Sequence, residues 1–407
     1  MRLWIYIVRR LILLVPIIIG VMTITFALIS AIPTQQRIES YYAPCRGHCY
    51  QPWEQYIPCP TNASATCTNP LWTKAIDQLG LNYPVPVQWA IYMENALTFH
   101  WGYTNNFSTV VSNYPVLRGE AVTTVLGWFL PYTLELAALS LIIIMVISLP
   151  LGNLSAVYRN RPVDQVSRIM SFSGYALPAF LLGTLLLYAT IIVVGGPSQV
   201  SPICKGHFAA LNDFWGSWPP VGCSNLYGTT NLGLDGYPTW LGGGFISSPT
   251  GFPTIDAALH GQWALAGDTL LRLVLPALVI AYGSIALLLR FVRNSMLEVM
   301  NLDFVRTARA KGLSEKVVTR RHAGRNSLNV TITVLGLTFA FFIGGFPIIE
   351  SVFNLWGVGR LLAFSLEGSF DYGLIFGSTL LFTFLVVGAN IIVDVLYAYL
   401  DPRVRLG

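Results

Sequence analysis

Six apolar blocks, each about 20 residues or longer, constrain this chain more than any other feature: Ile5 to Ile32, Leu126 to Leu151, Ile169 to Val194, Leu270 to Leu289, Val330 to Val352 and Leu374 to Leu400. At about 1.5 Å per residue, each reaches across a hydrocarbon core of about 30 Å. Lipid offers no partner for backbone N–H and C=O groups, so each block is expected to be helical. Only 11% of the residues are charged, against roughly 25% in a soluble chain, which excludes a water-soluble fold. The net charge of +5 does not indicate a nucleic-acid binder, because the basic residues border the apolar blocks instead of forming a stripe with stacking aromatics. The expectation is an all-α polytopic membrane protein with six transmembrane helices.

The first block has Arg2, Arg9 and Arg10 at its basic end, as a signal peptide would. Its apolar stretch is too long for one, however, and lacks a small-x-small cleavage site, so a retained helix is expected. Alternate connections separate the cations sharply. Seventeen of the 24 Lys and Arg fall at the N-terminus, at Arg159, Arg161 and Arg168, between Arg290 and Arg325, and at Arg403 and Arg405. The positive-inside rule then places both termini in the cytoplasm. The chain divides into 1–32 (tail and first span), an outer segment 33–125, spans two and three with their inner loop in 126–194, a second outer segment 195–269, and spans four to six in 270–407. A short outer connection lies near 354–372.

The outer segments hold all six cysteines: Cys45, Cys49, Cys59, Cys67, Cys204 and Cys223. An even number confined to the non-cytoplasmic face reads as disulfides. Pairing within each segment joins Cys204 to Cys223 and leaves three connectivities among the other four. Cys45, His48, Cys49 and Cys59 have the ligand types of a zinc site, which is the competing reading; no metal is expected. Asn62 and Asn106 open glycosylation sequons on the same face. The aromatic, Gly- and Pro-rich composition of these segments suits a stapled cap, a docking surface for an external partner, or both.

Residues 293–329 carry the most information. Asn301 or Asp303 is expected to cap a helix running to Lys311, and Gly312 offers the left-handed conformation that ends helices. Ser314 is placed to cap the next. Arg309 and Lys311 then sit in the last turn of one helix and Glu315 in the first turn of another, each sign matching the helix dipole. On physics alone, this is equally a basic loop lying against anionic lipid.

The run Asp303-Phe-Val-Arg306-Thr307-Ala308-Arg309-Ala310-Lys311-Gly312-Leu313-Ser314-Glu315, followed by Arg321-His-Ala-Gly-Arg-Asn-Ser-Leu, closely resembles the coupling loop of ABC-transporter permease subunits of the dipeptide/oligopeptide importer family. The likeness extends to Arg9-Arg10-Leu, Thr133-Leu-Glu-Leu-Ala, Glu350-Ser-Val-Phe, Gly357-Val-Gly-Arg, Asp394-Val-Leu-Tyr and Asp401-Pro-Arg-Val-Arg. It implies the type I importer permease fold, working by alternating access. It also implies that the helices flanking Gly312 dock on a cytoplasmic ATPase subunit. The implied partners are a second homologous permease, two ATPase subunits that bind ATP and Mg, an external solute-binding protein, and membrane lipid. Peptides are the implied substrate, with oligosaccharides the alternative on the same scaffold. Arg306-Thr-Ala stands where the broad permease motif has Glu-Ala-Ala, as is usual in the peptide branch. Gly324 and Asn329 depart from the pattern and leave the end of the second helix open. The long, cysteine-bearing outer segments depart from it too.

No enzymatic motif competes. The sequence contains no His-Glu-x-x-His and no Gly-x-Ser-x-Gly, and none of Lys74, Lys205, Lys311 and Lys316 is followed by Ser or Thr as a phosphate-binding loop requires. No catalytic residue and no cofactor are expected on this chain. Glu135, Glu350 and Asp394 are acids within or at the edge of spans, where acids are costly and default to functional or buried-partner roles. A proton-coupled carrier would use them as relays; structural hydrogen bonding or ion pairing is the favoured reading. In the fifth span, Gly344, Gly345 and Pro347 are expected to loosen the helix, as a packing kink or as a gate. Gly373 and Gly377 are read as packing positions.

Overall fold

The computed structural model describes residues 3–42, 51, 54–59, 62–105, 117, 119–194, 250–261, 263–343, 346–353, 355–367 and 370–400. They form two compact units: one of Met1–Arg10, Tyr132–Leu355 and Gly388–Gly407, the other of Leu11–Pro131 and Trp356–Val387. The architecture is mostly helical. Among the described residues, three helices are long and apolar enough to cross a membrane, and a bent pair makes a fourth candidate.

The second unit contains most of α1 (Leu3–Ser30), followed by α2 (Thr34–Tyr41), the strands β1 (Tyr56–Cys59) and β2 (Asn62–Thr68), α3 (Pro70–Gln78) and α4 (Val85–Leu97). It also holds the start of α5 (Val122–Val157), α14 (Val358–Ser365) and the first part of α15 (Tyr372–Leu400). The antiparallel hairpin corrects the all-α expectation. Ile57 pairs with Cys67, and the register shifts between Pro58 and Cys59, where proline supplies no N–H to the ladder. Ile38, Trp72 and Ala75 form a small core. Asn69 caps α3 by accepting from the Leu71 N–H, and Asp371 does the same for α15 through the Leu374 N–H. Gly373 and Gly377 are packing positions as expected. A Cβ on Gly373 would lie 2.6 Å from the Tyr103 carbonyl oxygen, and one on Gly377 would overlap Val122.

Cys67 is disulfide-bonded, and no free cysteine occurs among the described residues. Cys45, Cys49, Cys204 and Cys223, with Asn106, lie outside the described residues, as do the side chains of Cys59 and Asn62. Among the described residues no group of three or more His, Cys, Asp or Glu is arranged to hold a metal.

In the first unit the expected third span is not one helix. It is α6 (Pro162–Ala176) and α7 (Ala179–Val194), bent by 104°. Pro178 explains the break: it disfavours helical geometry in the residue before it, and Leu177 is extended, at φ −103° and ψ 116°. Next come α8 (Pro253–Leu259) and α9 (Trp263–Met300), a 38-residue helix that packs against α6 and α12 (Gly324–Ile343). The expected fifth span is likewise divided. Gly344 and Gly345 lie outside the described residues, Phe346 is non-helical at φ −130° and ψ 67°, and Pro347 opens a new helix, α13 (Pro347–Val352). Proline at a first helical position loses nothing by lacking an N–H, so Pro347 starts a helix: of the kink and the discontinuity expected here, the described residues show a discontinuity. The core of this unit gathers Leu136, Ile144, Ile280, Leu288 and Phe342 from α5, α9 and α12, with Phe353 at the C-cap of α13.

Candidate functional site

The 303–315 run folds as α10 (Asp303–Ala310), a turn, and α11 (Glu315–Val317). Neither Asn301 nor Asp303 caps α10. Leu302 occupies the cap position without a side-chain bond, Asp303 is the first helical residue, and the Asn301 amide donates back to the Leu297 carbonyl. Asp303 still places its charge at the positive end of the helix, where the dipole favours it, 3.4 Å from Arg306.

At the other end, Gly312 adopts φ +78°. Its N–H donates to the Arg309 carbonyl at 2.9 Å, and the Leu313 N–H to that of Ala308 at 3.4 Å. This double closure is the Schellman arrangement, which requires a left-handed residue at the glycine position. Across the turn Arg309 grips Glu315, Nε to Oε1 at 2.8 Å and a terminal nitrogen to Oε2 at 3.4 Å. Both side chains are partly exposed, so the pair is worth at most about 1 kcal/mol; it orients one arm against the other. Ser314 stands at the cap of α11 as expected, but without a side-chain bond.

The second arm does not end as a separate short helix. α11 passes into a π-helical turn, Val318–Ala323, and then into α12. The Gly324 N–H donates to the Thr319 carbonyl five residues back, and a Cβ on Gly324 would lie 2.9 Å from that same oxygen. The glycine that departs from the sequence pattern therefore permits the π-turn.

This loop is anchored. Val305 and Ala308 of α10 and Val318 and Ala323 of the π-turn pack with Ala156 of α5 and with Met296 and Val299 of α9. Thr307, Ala310 and Lys311 lie on the remaining faces, and Phe304 and Leu313 are each 40% exposed. An apolar edge beside Arg306 is suited to a protein partner.

Beside the loop lies a polar cluster absent from the sequence reading. Asp164 is fully buried and accepts from Arg293 Nε at 2.7 Å, Arg168 at 2.8 Å, Ser155 Oγ at 2.9 Å and the Asn160 N–H at 2.9 Å. It ties α6 to α5 and α9. The signal was Arg161-Pro-Val-Asp164, a proline-opened helix with an acid in its first turn.

The three acids expected within or at the edge of spans have different surroundings. Glu350 is fully buried and accepts from Thr133 Oγ at 2.9 Å, which joins two of the motifs singled out in the sequence. Glu135 lies beside Thr254 and Asp256, and its Oε2 is buried without a hydrogen-bond partner among the described residues. The Asp394 side chain lies outside the described residues. Both helix breaks, at Leu177 and at Phe346, border one cavity of about 420 Å³ whose walls include Phe180, Tyr282, Phe342 and Pro347. Irregular backbone at membrane depth is tolerated where it is buried in protein or lines such a space.

Residues 148–406 match the family described as the binding-protein-dependent transport system inner membrane component. The chain belongs to this family. It is 33% identical over 330 residues to the "Probable D,D-dipeptide transport system permease protein" of Escherichia coli K12, covering 81% of this chain and 83% of the relative. It is 31% identical over 328 residues to the glutathione transport system permease protein of the same strain, covering 81% and 82%. The oligopeptide transport system permease protein of Bacillus subtilis 168 is 29% identical over 402 residues, 98% of this chain and 99% of the relative. This family member is thus a permease subunit of an ABC importer and a multi-pass cell-membrane protein.

Proposed function

We propose that this permease forms half of a peptide translocation pathway and moves its substrate by alternating access. The observation that carries the reading is the anchored 303–315 loop: a Schellman turn at Gly312, an ion pair that sets its two arms, and an apolar edge left for a partner. Relatives named for dipeptides, oligopeptides and glutathione support peptides over oligosaccharides. The full topology is six spans with both termini cytoplasmic. The third and fifth spans are broken beside a common cavity, which fits a gate at Gly344, Gly345 and Pro347. The outer segments are disulfide-stapled, with Cys204 joined to Cys223. A second homologous permease completes the pathway, two ATPase subunits bind ATP and Mg, and an external solute-binding protein delivers the peptide. No cofactor belongs to this chain. Glu350 serves as a structural hydrogen-bond acceptor in preference to a proton relay.

Gly312→Val tests the loop. A β-branched residue at positive φ costs about 1 kcal/mol or more, and no atom lies within 4 Å of the site to clash with its Cβ. The variant should therefore insert and assemble with the second permease, while retention of the ATPase subunits in detergent, or ATP-driven uptake, falls. Wild-type values for both would show that this loop is not the transmission element.

A further inference from the structure

The π-turn changes which side chains face outward at the head of α12. Bonding five residues back adds about one residue to a turn, so residues five apart stack where an α-helix stacks those four apart. Val318, Ala323, Ser327 and Thr331 are all buried, with spacings of five, four and four. An uninterrupted α-helix from Val318 would put His322 and then Asn326 against the core formed with α9. The π-turn buries Ala323 instead.

The same rephasing aligns four cations on the opposite face. Lys316, Arg320, Arg321 and Arg325 are all exposed, and none makes an ion pair or side-chain hydrogen bond with a described residue. The nearby acids are already engaged, Glu315 by Arg309 and Asp303 by Arg306. No Phe, Tyr or Trp occurs between Lys316 and Ser327, whereas the apolar edge suited to a protein lies on α10.

We propose that Lys316, Arg320, Arg321 and Arg325 form a binding surface for anionic phospholipid headgroups, presented by the π-turn. The apolar run of the fifth span begins at Val330, so Arg325 and Arg320 precede it by roughly 7 and 15 Å of helix. In the inward orientation proposed above, that is the depth of the headgroup zone and its edge, within reach of long arginine side chains that lay their stems along apolar surface and keep their charge in the polar layer. A juxtamembrane cluster of four or more cations is the usual electrostatic match for an anionic leaflet. The loop thereby has two faces: α10 for a protein and the π-turn for lipid.

The test is native mass spectrometry of the full-length importer complex titrated with phosphatidylglycerol and, separately, phosphatidylcholine. Wild type should retain phosphatidylglycerol preferentially, and the preference should weaken as salt rises. The variant R320Q/R321Q/R325Q should lose that preference by on the order of tenfold or more, with phosphatidylcholine retention unchanged. R320K/R321K/R325K, which keeps the charge, should retain it and so control for misfolding. An unaltered phosphatidylglycerol preference in the glutamine variant would overturn the proposal. Loss of ATPase subunits from that variant in phosphatidylcholine alone, with lipid preference intact, would overturn it in favour of a protein interface.

Discussion

Gly324→Val should abolish most ATP-driven uptake while leaving the chain in the membrane. The added Cβ meets the Thr319 carbonyl oxygen at 2.9 Å, a backbone atom that cannot swing aside, and the second branch atom of valine crowds it further. Overpacking of this kind costs about 1–3 kcal/mol, and every 1.4 kcal/mol is about tenfold in a population. The cheapest relief is to give up the five-back bond and continue as an α-helix. That turns Ala323 out of the core shared with Met296 and Val299 and brings His322 in. Uptake should fall on the order of tenfold or more as the α10 arm loses its fixed angle to α12. Gly324→Ala, which adds the Cβ alone, should show a smaller loss. Transport assays in vesicles, matched for inserted protein by membrane blots, read the effect; wild-type uptake in Gly324→Val would show that the π-turn carries no motion.

A loss of similar size, but in stability, is expected at Asp164. Truncating this carboxylate strands Arg293, whose side chain is only 16% exposed, and removing one partner of a buried pair typically costs about 3–5 kcal/mol. Arg168 is 48% exposed and can turn to solvent, so most of the penalty falls on Arg293. Asp164→Ala should therefore lower the detergent melting temperature markedly. Asp164→Ala combined with Arg293→Leu should recover much of the loss, because no charge is then left buried. Equal melting of Asp164→Ala and wild type would mean that the cluster does not hold α5, α6 and α9 together.

Much of this was readable in advance, for physical reasons that differ from element to element. Long apolar runs mark spans because lipid permits few alternatives, and α5, α9 and α15 contain the expected blocks. Gly312 was legible because positive φ selects glycine and the charges on either side follow the helix dipole. The motif at Thr133 and the motif at Glu350 were each visible, but their hydrogen bond joins positions 217 residues apart, a separation that no local pattern encodes. The break at Leu177 was missed although Pro178 was in plain view, since a hydropathy reading averages over single residues. The π-turn was hidden more deeply. Its only local trace is a glycine in an odd place, and its purpose appears once Val318, Ala323 and Ser327 are seen to share one buried face. Asp164 escaped because its helix begins before the apolar block, so the acid read as part of an ordinary polar loop.

The proposed drive for peptide movement through this permease is ATP hydrolysis on partner subunits. Its most direct test is uptake of a labelled dipeptide or tripeptide by proteoliposomes holding the complete importer, with the cognate binding protein supplied, in the presence of a protonophore. Uptake should continue at its normal rate while ATP is present, stop when ATP is withheld or the ATPase subunits are omitted, and show no ATP hydrolysis attributable to the isolated chain. Uptake that ignores ATP but collapses with the proton gradient would contradict the account and return Glu135, Glu350 and Asp394 to the role of a proton relay.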